Sequence, residues 1–119
     1  MRIPLSDIEQ FLSDIKPSGF QYDEDSFEIE HMGTIAMFWN DRGLISASLS
    51  TPKINSFYLA SCVGKEIGVS LHDGAVELRT LFSVLDFINV HHREIIKMLE
   101  SEGYKDTYLK SCGLAPIQK

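Results

Sequence analysis

Apolar residues near the start of the chain recur at the spacing of an amphipathic helix. Ser6 and Glu9 stand three positions apart, as in a capping box at a helix start, and Pro17 would stop the run. The pattern therefore predicts a helix over residues 4 to 16. Its apolar stripe consists of Leu5, Ile8, Leu12 and Ile15.

The next three segments alternate in the manner of β-strands. FEIEH alternates apolar residues with acids, LISASLST alternates apolar residues with serines, and TIAMFWN is apolar on both faces. Gly33 separates FEIEH from TIAMFWN, and the turn NDRG separates TIAMFWN from LISASLST. An antiparallel three-stranded meander is expected. Its serines, Ser46, Ser48 and Ser50, are predicted to form a solvated strand face.

Two elements are predicted between the meander and the closing helix. NSFYLASCVGKE, residues 55 to 66, fits both a strand and a helix, and Asn55 as a helix cap favours a short helix. IGVSL and AVELRTLF then flank the step from Asp73 to Gly74, which is typical of a two-residue β-hairpin.

A long closing helix is predicted over residues 84 to 102. Ser83 is a candidate cap, Phe82 and Phe87 occupy the positions of a hydrophobic staple, and Gly103 is placed to end the helix. The stripe expected to face the core contains Leu85, Ile88, His92, Ile95 or Ile96, and Leu99. Residues 104 to 119 are predicted to form a tail that docks through Tyr104, Tyr108 and Leu109.

The 119 residues, 44% hydrophobic and 24% charged, fit one folded domain with a core over about residues 4 to 102. The predicted fold class is α+β: an antiparallel sheet, made of the meander and the hairpin, with N-terminal and C-terminal helices packed on it. No apolar run reaches the roughly 18 residues of a membrane span, and polar residues interrupt the N-terminus where a signal peptide would be apolar. A cytoplasmic protein that does not enter membranes is expected.

The net charge of −6 is concentrated at one end of the chain. Residues 1 to 30 contain eight acids and two bases, whereas residues 31 to 119 contain nine of each. Such an acidic segment repels phosphate backbones, which argues against nucleic-acid binding. One hypothesis is an acidic inhibitor, such as an immunity protein, that neutralises a basic partner. Its electrostatic surface would be Asp23, Glu24, Asp25, Glu28 and Glu30.

The side chains typical of chemical sites are present without the spacing that such sites require. His91 and His92 are adjacent and would point about 100° apart on a helix, whereas metal-binding helices space their ligands by three or four. Cys62 and Cys112 form no CxxC pair, and no serine lies in a GxSxG elbow. No catalytic residue, metal or cofactor is therefore assigned. A zinc or iron site assembled from His31, His72 and one of the pair stays open, and so does a small histidine-dependent enzyme as a less favoured function.

Apolar surface is the more informative feature. TIAMFWN needs cover on both faces, and helices on one side of the sheet would leave one of them open. Some of Ile35, Met37 and Trp39, or of Ala36 and Phe38, would then face outward. An exposed patch that contains Met37 and Trp39 would be typical of a protein-binding or dimer surface. Burial of both faces within the monomer is the competing expectation.

The order of helix, meander, short helix, hairpin and long helix resembles the type III secretion chaperone-like fold of CesT-type secretion chaperones and the YbjN-like family. The stretches that carry the resemblance are GFQYDEDSFEIEHMGTIAMFWNDRGLISASLS and IGVSLHDGAVELRTLFSVLD. It implies a small acidic cytoplasmic protein, commonly a homodimer, that has no active site and binds a partner protein segment through apolar patches. Mapped onto this chain, these patches are Ile35, Met37 and Trp39, and Leu5, Ile8 and Leu12.

Overall fold

The computed structural model describes residues 2–4, 27–41, 44–71, 79–112 and 117–118. Strands and helices both occur, and helices pack on an antiparallel sheet, which confirms the α+β class. The strands are β1 (Arg2–Pro4), β2 (Phe27–His31), β3 (Thr34–Asp41), β4 (Leu44–Ser50), β5 (Ser56–Leu59) and β6 (Ile117–Gln118). The helices are α1 (Ala60–Ile67), α2 (Arg79–Leu99) and α3 (Tyr104–Cys112).

The described strands pair in the order β1-β2-β3-β4-β5-β6, parallel between β1 and β2 and antiparallel elsewhere. Strands β2, β3 and β4 form the predicted meander, with Ala36 opposite both Ile29 and Leu49. The turn between β2 and β3 consists of Met32 and Gly33, whose φ angles of 51° and 77° match the twist of a tight hairpin. The meander prediction is confirmed.

Helix α2 covers one face of the sheet and closes the core. The rings of Phe27 and Phe38 stack there with their centroids 5.3 Å apart. The core-facing stripe predicted for this helix is confirmed at Leu85, Ile88, Ile95 and Leu99, all of which are buried. The sheet side chains of this core are Phe27, Ile29, Ala36, Phe38, Ala47, Leu49 and Tyr58.

The opposite face of the sheet is buried along β4, where a solvated face was predicted. Ser46, Ser48 and Ser50 are all buried, so that prediction is wrong. The alternation of serines with apolar residues shows that the serines share one face of the strand. It does not show that this face is exposed to water. A buried serine is tolerated when its hydroxyl has a partner, and Ser50 Oγ donates to the carbonyl oxygen of Ser56 at 2.9 Å.

The ambiguous segment 55 to 66 is a strand followed by a helix, so the predicted helix is right only for its second half. β5 pairs with β4 on one side and β6 on the other, and these long-range pairings outweigh the local signal of Asn55. Helix α1 starts after Leu59 without a side-chain cap and ends at Gly68, whose φ is 91°.

The predicted hairpin around Asp73 and Gly74 is wrong, because the described residues on either side of it do not form the two predicted strands. Ile67 ends α1, and residues 79 to 82 belong to α2, which starts five residues before the predicted position. Asp73 and Gly74 themselves lie outside the described residues. Ser83 is inside α2 and is not its cap.

Residues 104 to 112, predicted as part of a tail, form α3. Tyr104 and Tyr108 are buried as predicted, and both rings meet Tyr58 edge-on at 4.9 Å. Tyr108 Oη also accepts a hydrogen bond from the Leu59 amide at 3.3 Å. Leu109 is exposed, so its predicted docking is wrong. Within the described ranges, no helix is both long enough and apolar enough to cross a membrane.

Candidate functional site

The patch predicted on β3 is mostly enclosed. Ile35 is only 3% exposed, so it offers no accessible surface, while Met37 and Trp39 are half-buried. Burial within the chain, the competing expectation, therefore holds for Ile35. A binding role for Met37 and Trp39 stays a prediction. The second predicted patch, Leu5, Ile8 and Leu12, lies outside the described residues, as does most of the predicted helix that carries it.

The predicted acidic surface is described only on β2. Glu30 is exposed and Glu28 half-buried, and they pair in register with Ile35 and Met37 on β3. Both acids therefore project from the sheet face opposite α2. Asp23, Glu24 and Asp25 lie outside the described residues, so the surface as a whole stays a prediction.

The histidines of α2 point to different partners. His91 Nδ1 donates to Glu94 Oε1 at 3.3 Å, and its ring lies against Phe87 with centroids 5.4 Å apart. His92 Nδ1 donates to the Asn89 carbonyl oxygen at 3.3 Å. Asn89 Oδ1 also accepts a bond of 2.6 Å from His31 Nε2, which joins the end of β2 to α2. Across the described segments, no three potential metal ligands converge.

Two of the four exposed large apolar side chains among the described residues lie on the outer side of α2. Phe82 is 57% exposed and Val90 is 66% exposed. Together with Asp86 between them, they form a row at four-residue spacing, which we call the outer stripe. At a rise of about 1.5 Å per residue, its two apolar ends are about 12 Å apart along the helix. The core-facing residues occupy other positions of the same helix.

A groove of about 340 Å³ runs beside the outer stripe. The segment that follows α1 forms one wall, and α2 forms the other. The lining side chains are Val69, Ser70, Leu71, Ser83, Asp86, Phe87, Val90 and His91.

The first wall is held close to α1 by its backbone. The Val69 amide donates to the Gly64 carbonyl oxygen at 2.7 Å, just after the left-handed turn at Gly68. A Cβ atom on Gly64 would lie only 2.8 Å from the Val69 carbonyl oxygen and 3.0 Å from a methyl group of Leu71. The position of this wall therefore depends on a glycine at residue 64.

The polar groups of the groove are, among the described residues, two hydroxyls, one carboxylate and one imidazole. Ser70 and Ser83 supply hydroxyls, but no hydrogen bond joins either of them to His91 in the part of the chain that the structure describes, and His91 Nδ1 bonds Glu94 instead. A nucleophile needs its base within hydrogen-bonding reach. Four of the eight described lining residues are apolar and four are polar, and a mixture of apolar contacts and polar side chains suits the binding of a ligand.

Sequence reasoning missed Phe82 and Val90 as accessible residues. Phe82 was assigned to a hydrophobic staple because the helix was expected to begin at residue 84, whereas it begins at Arg79. Val90 was apparent as an apolar residue outside the core-facing stripe, and such an off-stripe position is the signal that points to an exposed contact. Comparisons of the chain with protein-family models, curated proteins and solved structures found no match.

Proposed function

We propose that this protein is a non-enzymatic, chaperone-like binding module of the cytoplasm, which holds a segment of a partner protein on the outer stripe and in the adjacent groove. The observation that carries the proposal is the exposure of Phe82 and Val90 on one helix beside an open groove. Isolated apolar residues are common on protein surfaces, but apolar side chains grouped at a groove mark interaction sites.

The size and composition of this surface fit a partner segment. Two large side chains about 12 Å apart match the anchors of a short helical or extended peptide. Phe87, Val69 and Leu71 supply apolar contacts in the groove beside the stripe. Full burial of a side chain such as phenylalanine or valine contributes about 1.5–3 kcal/mol, which makes both residues effective anchors.

The experiment is affinity capture by the tagged protein from its native lysate, with washes at low salt and at about 0.5 M salt. The test variant is Phe82→Ser with Val90→Ser. The matched control is Met32→Ser with Leu109→Ser, which removes two other exposed apolar side chains away from the groove. Thermal unfolding establishes that both variants remain folded.

An apolar interface predicts a partner that survives the high-salt wash on the wild type and the control and is lost from the test variant. Equal retention by the test variant would contradict the proposed surface. A basic partner lost from the wild type at high salt would favour the acidic inhibitor, because screening weakens long-range attraction between charges.

A further inference from the structure

The outer stripe carries a negative charge between its apolar ends. Asp86 is exposed and makes no hydrogen bond or ion pair with any residue that the structure describes. On a helix, an acid is compensated by bases three or four positions away. Those positions around Asp86 are occupied by Phe82, Ser83, Asn89 and Val90, so α2 provides no such base.

The stripe is not complementary to a second copy of itself. In a symmetric antiparallel contact, Phe82 of one chain would meet Val90 of the other. This arrangement would also bring the two Asp86 carboxylates together near the symmetry axis. Like charges that face each other across an interface repel, so the apolar gain at the ends is opposed at the centre.

Among the described residues that line the groove beside the stripe, none is a lysine or arginine. These residues include one carboxylate, Asp86, and one imidazole, that of His91, whose Nδ1 is engaged by Glu94. The chain as a whole carries a net charge of −6. A ligand that places a cation on Asp86 is therefore attracted both at the site and by the overall charge.

We propose that the segment bound by this surface carries a lysine or arginine between two bulky apolar side chains, with the cation on Asp86 and the apolar groups on Phe82 and Val90. This inference rests on the proposed function, because it specifies the partner of the same surface. The apolar anchors provide affinity, and the cation provides specificity and register.

The test is selection of peptides from a random displayed library on the full chain, followed by titration of synthetic versions of the enriched peptide. Three versions differ only at the central residue, which is lysine, glutamine or glutamate. The wild type should enrich peptides with a central base and bind the lysine version about tenfold or more tighter than the glutamate version.

Two substitutions of Asp86 separate charge from shape. Asp86→Asn should remove most of the preference among the three peptides and leave only the part due to the overall charge, and Asp86→Lys should reverse it in favour of glutamate. The control Glu102→Lys makes the same sign change at an exposed residue beyond the far end of α2, and it should preserve the wild-type order.

The outcomes distinguish this inference from the function on which it rests. If the three peptides bind equally and Phe82→Ser with Val90→Ser weakens all of them, the inference is overturned while the binding surface stands. If no enriched peptide depends on Phe82 and Val90, both are overturned. If light scattering detects a dimer that these two substitutions dissociate, a second copy occupies the stripe and the inference is overturned.

Discussion

Replacement of Ser48 by alanine should stabilise this protein. Ser48 is 0% exposed at the centre of β4, and its Oγ has no hydrogen-bond partner among the described residues. A buried hydroxyl without a partner costs about 1–3 kcal/mol relative to its hydrated state. Alanine removes that cost and keeps the Cβ atom. The small void left by the oxygen offsets part of the gain, so we expect the free energy of unfolding to rise by about 1 kcal/mol.

Ser50 provides a matched control on the same strand. It is equally buried, but its Oγ donates to the carbonyl oxygen of Ser56 at 2.9 Å. Ser50→Ala removes a made hydrogen bond and should lower the free energy of unfolding by about 1 kcal/mol. Both changes exchange the same residue types within β4, so differences in strand propensity largely cancel.

Urea denaturation followed by circular dichroism measures the free energy of unfolding of both variants, and thermal unfolding gives an independent measure of the same change. A change of about 1 kcal/mol shifts the midpoint by about 4 °C in a domain of this size. The two variants should therefore move in opposite directions from the wild type. Destabilisation of Ser48→Ala to the same extent as Ser50→Ala would refute the reasoning, because it would mean that the Ser48 hydroxyl has a stabilising partner.

Two further contacts give predictions of the opposite sign. Gly64→Ala should lower the free energy of unfolding by about 2 kcal/mol, because its Cβ would lie 2.8 Å from the Val69 carbonyl oxygen. Gly68→Ala has open space around its Cβ and should lose only about 1 kcal/mol, because alanine disfavours the left-handed φ of this position. Equal losses in thermal unfolding would contradict this difference. Thr51→Val should cost about 1–3 kcal/mol, because the buried Thr51 Oγ1 donates to Glu100 Oε2 at 2.7 Å. A double-mutant cycle with Glu100→Ala measures this coupling, and additive losses would exclude it.

The meander was predictable because its information is local. In each strand, alternate residues point to opposite faces of the sheet. The short turn at Met32 and Gly33 fixes the register between β2 and β3. The core stripe of α2 was predictable for the same reason, since a period of three to four identifies the buried side of a helix. What these patterns specify is which residues share a face.

The failures lie where pairing over long distances decides the structure. Residues 56 to 59 become a strand because β4 and β6 are on either side of them, and β6 comes from the end of the chain. The residues just before Ser83 were predicted to form a strand, because they follow the hairpin signal of Asp73 and Gly74. In the structure, residues 79 to 82 extend α2 instead. Local propensity did not discriminate between a strand and a helix in these segments, because it does not depend on which strands or core residues lie next to the segment in the folded chain.

The same limitation explains why the predicted and observed apolar surfaces differ. A strand that is apolar on both faces shows only that both faces are covered by something, and for Ile35 the folded chain itself provides that cover. A helix carries a stronger constraint, because one stripe meets the core and apolar residues grouped outside that stripe are candidates for a contact surface. Phe82 and Val90 are such residues on α2, and the exposed Asp86 lies between them. Under the proposed function, a charge between two apolar positions therefore restricts the partner more narrowly than a strand with two apolar faces does.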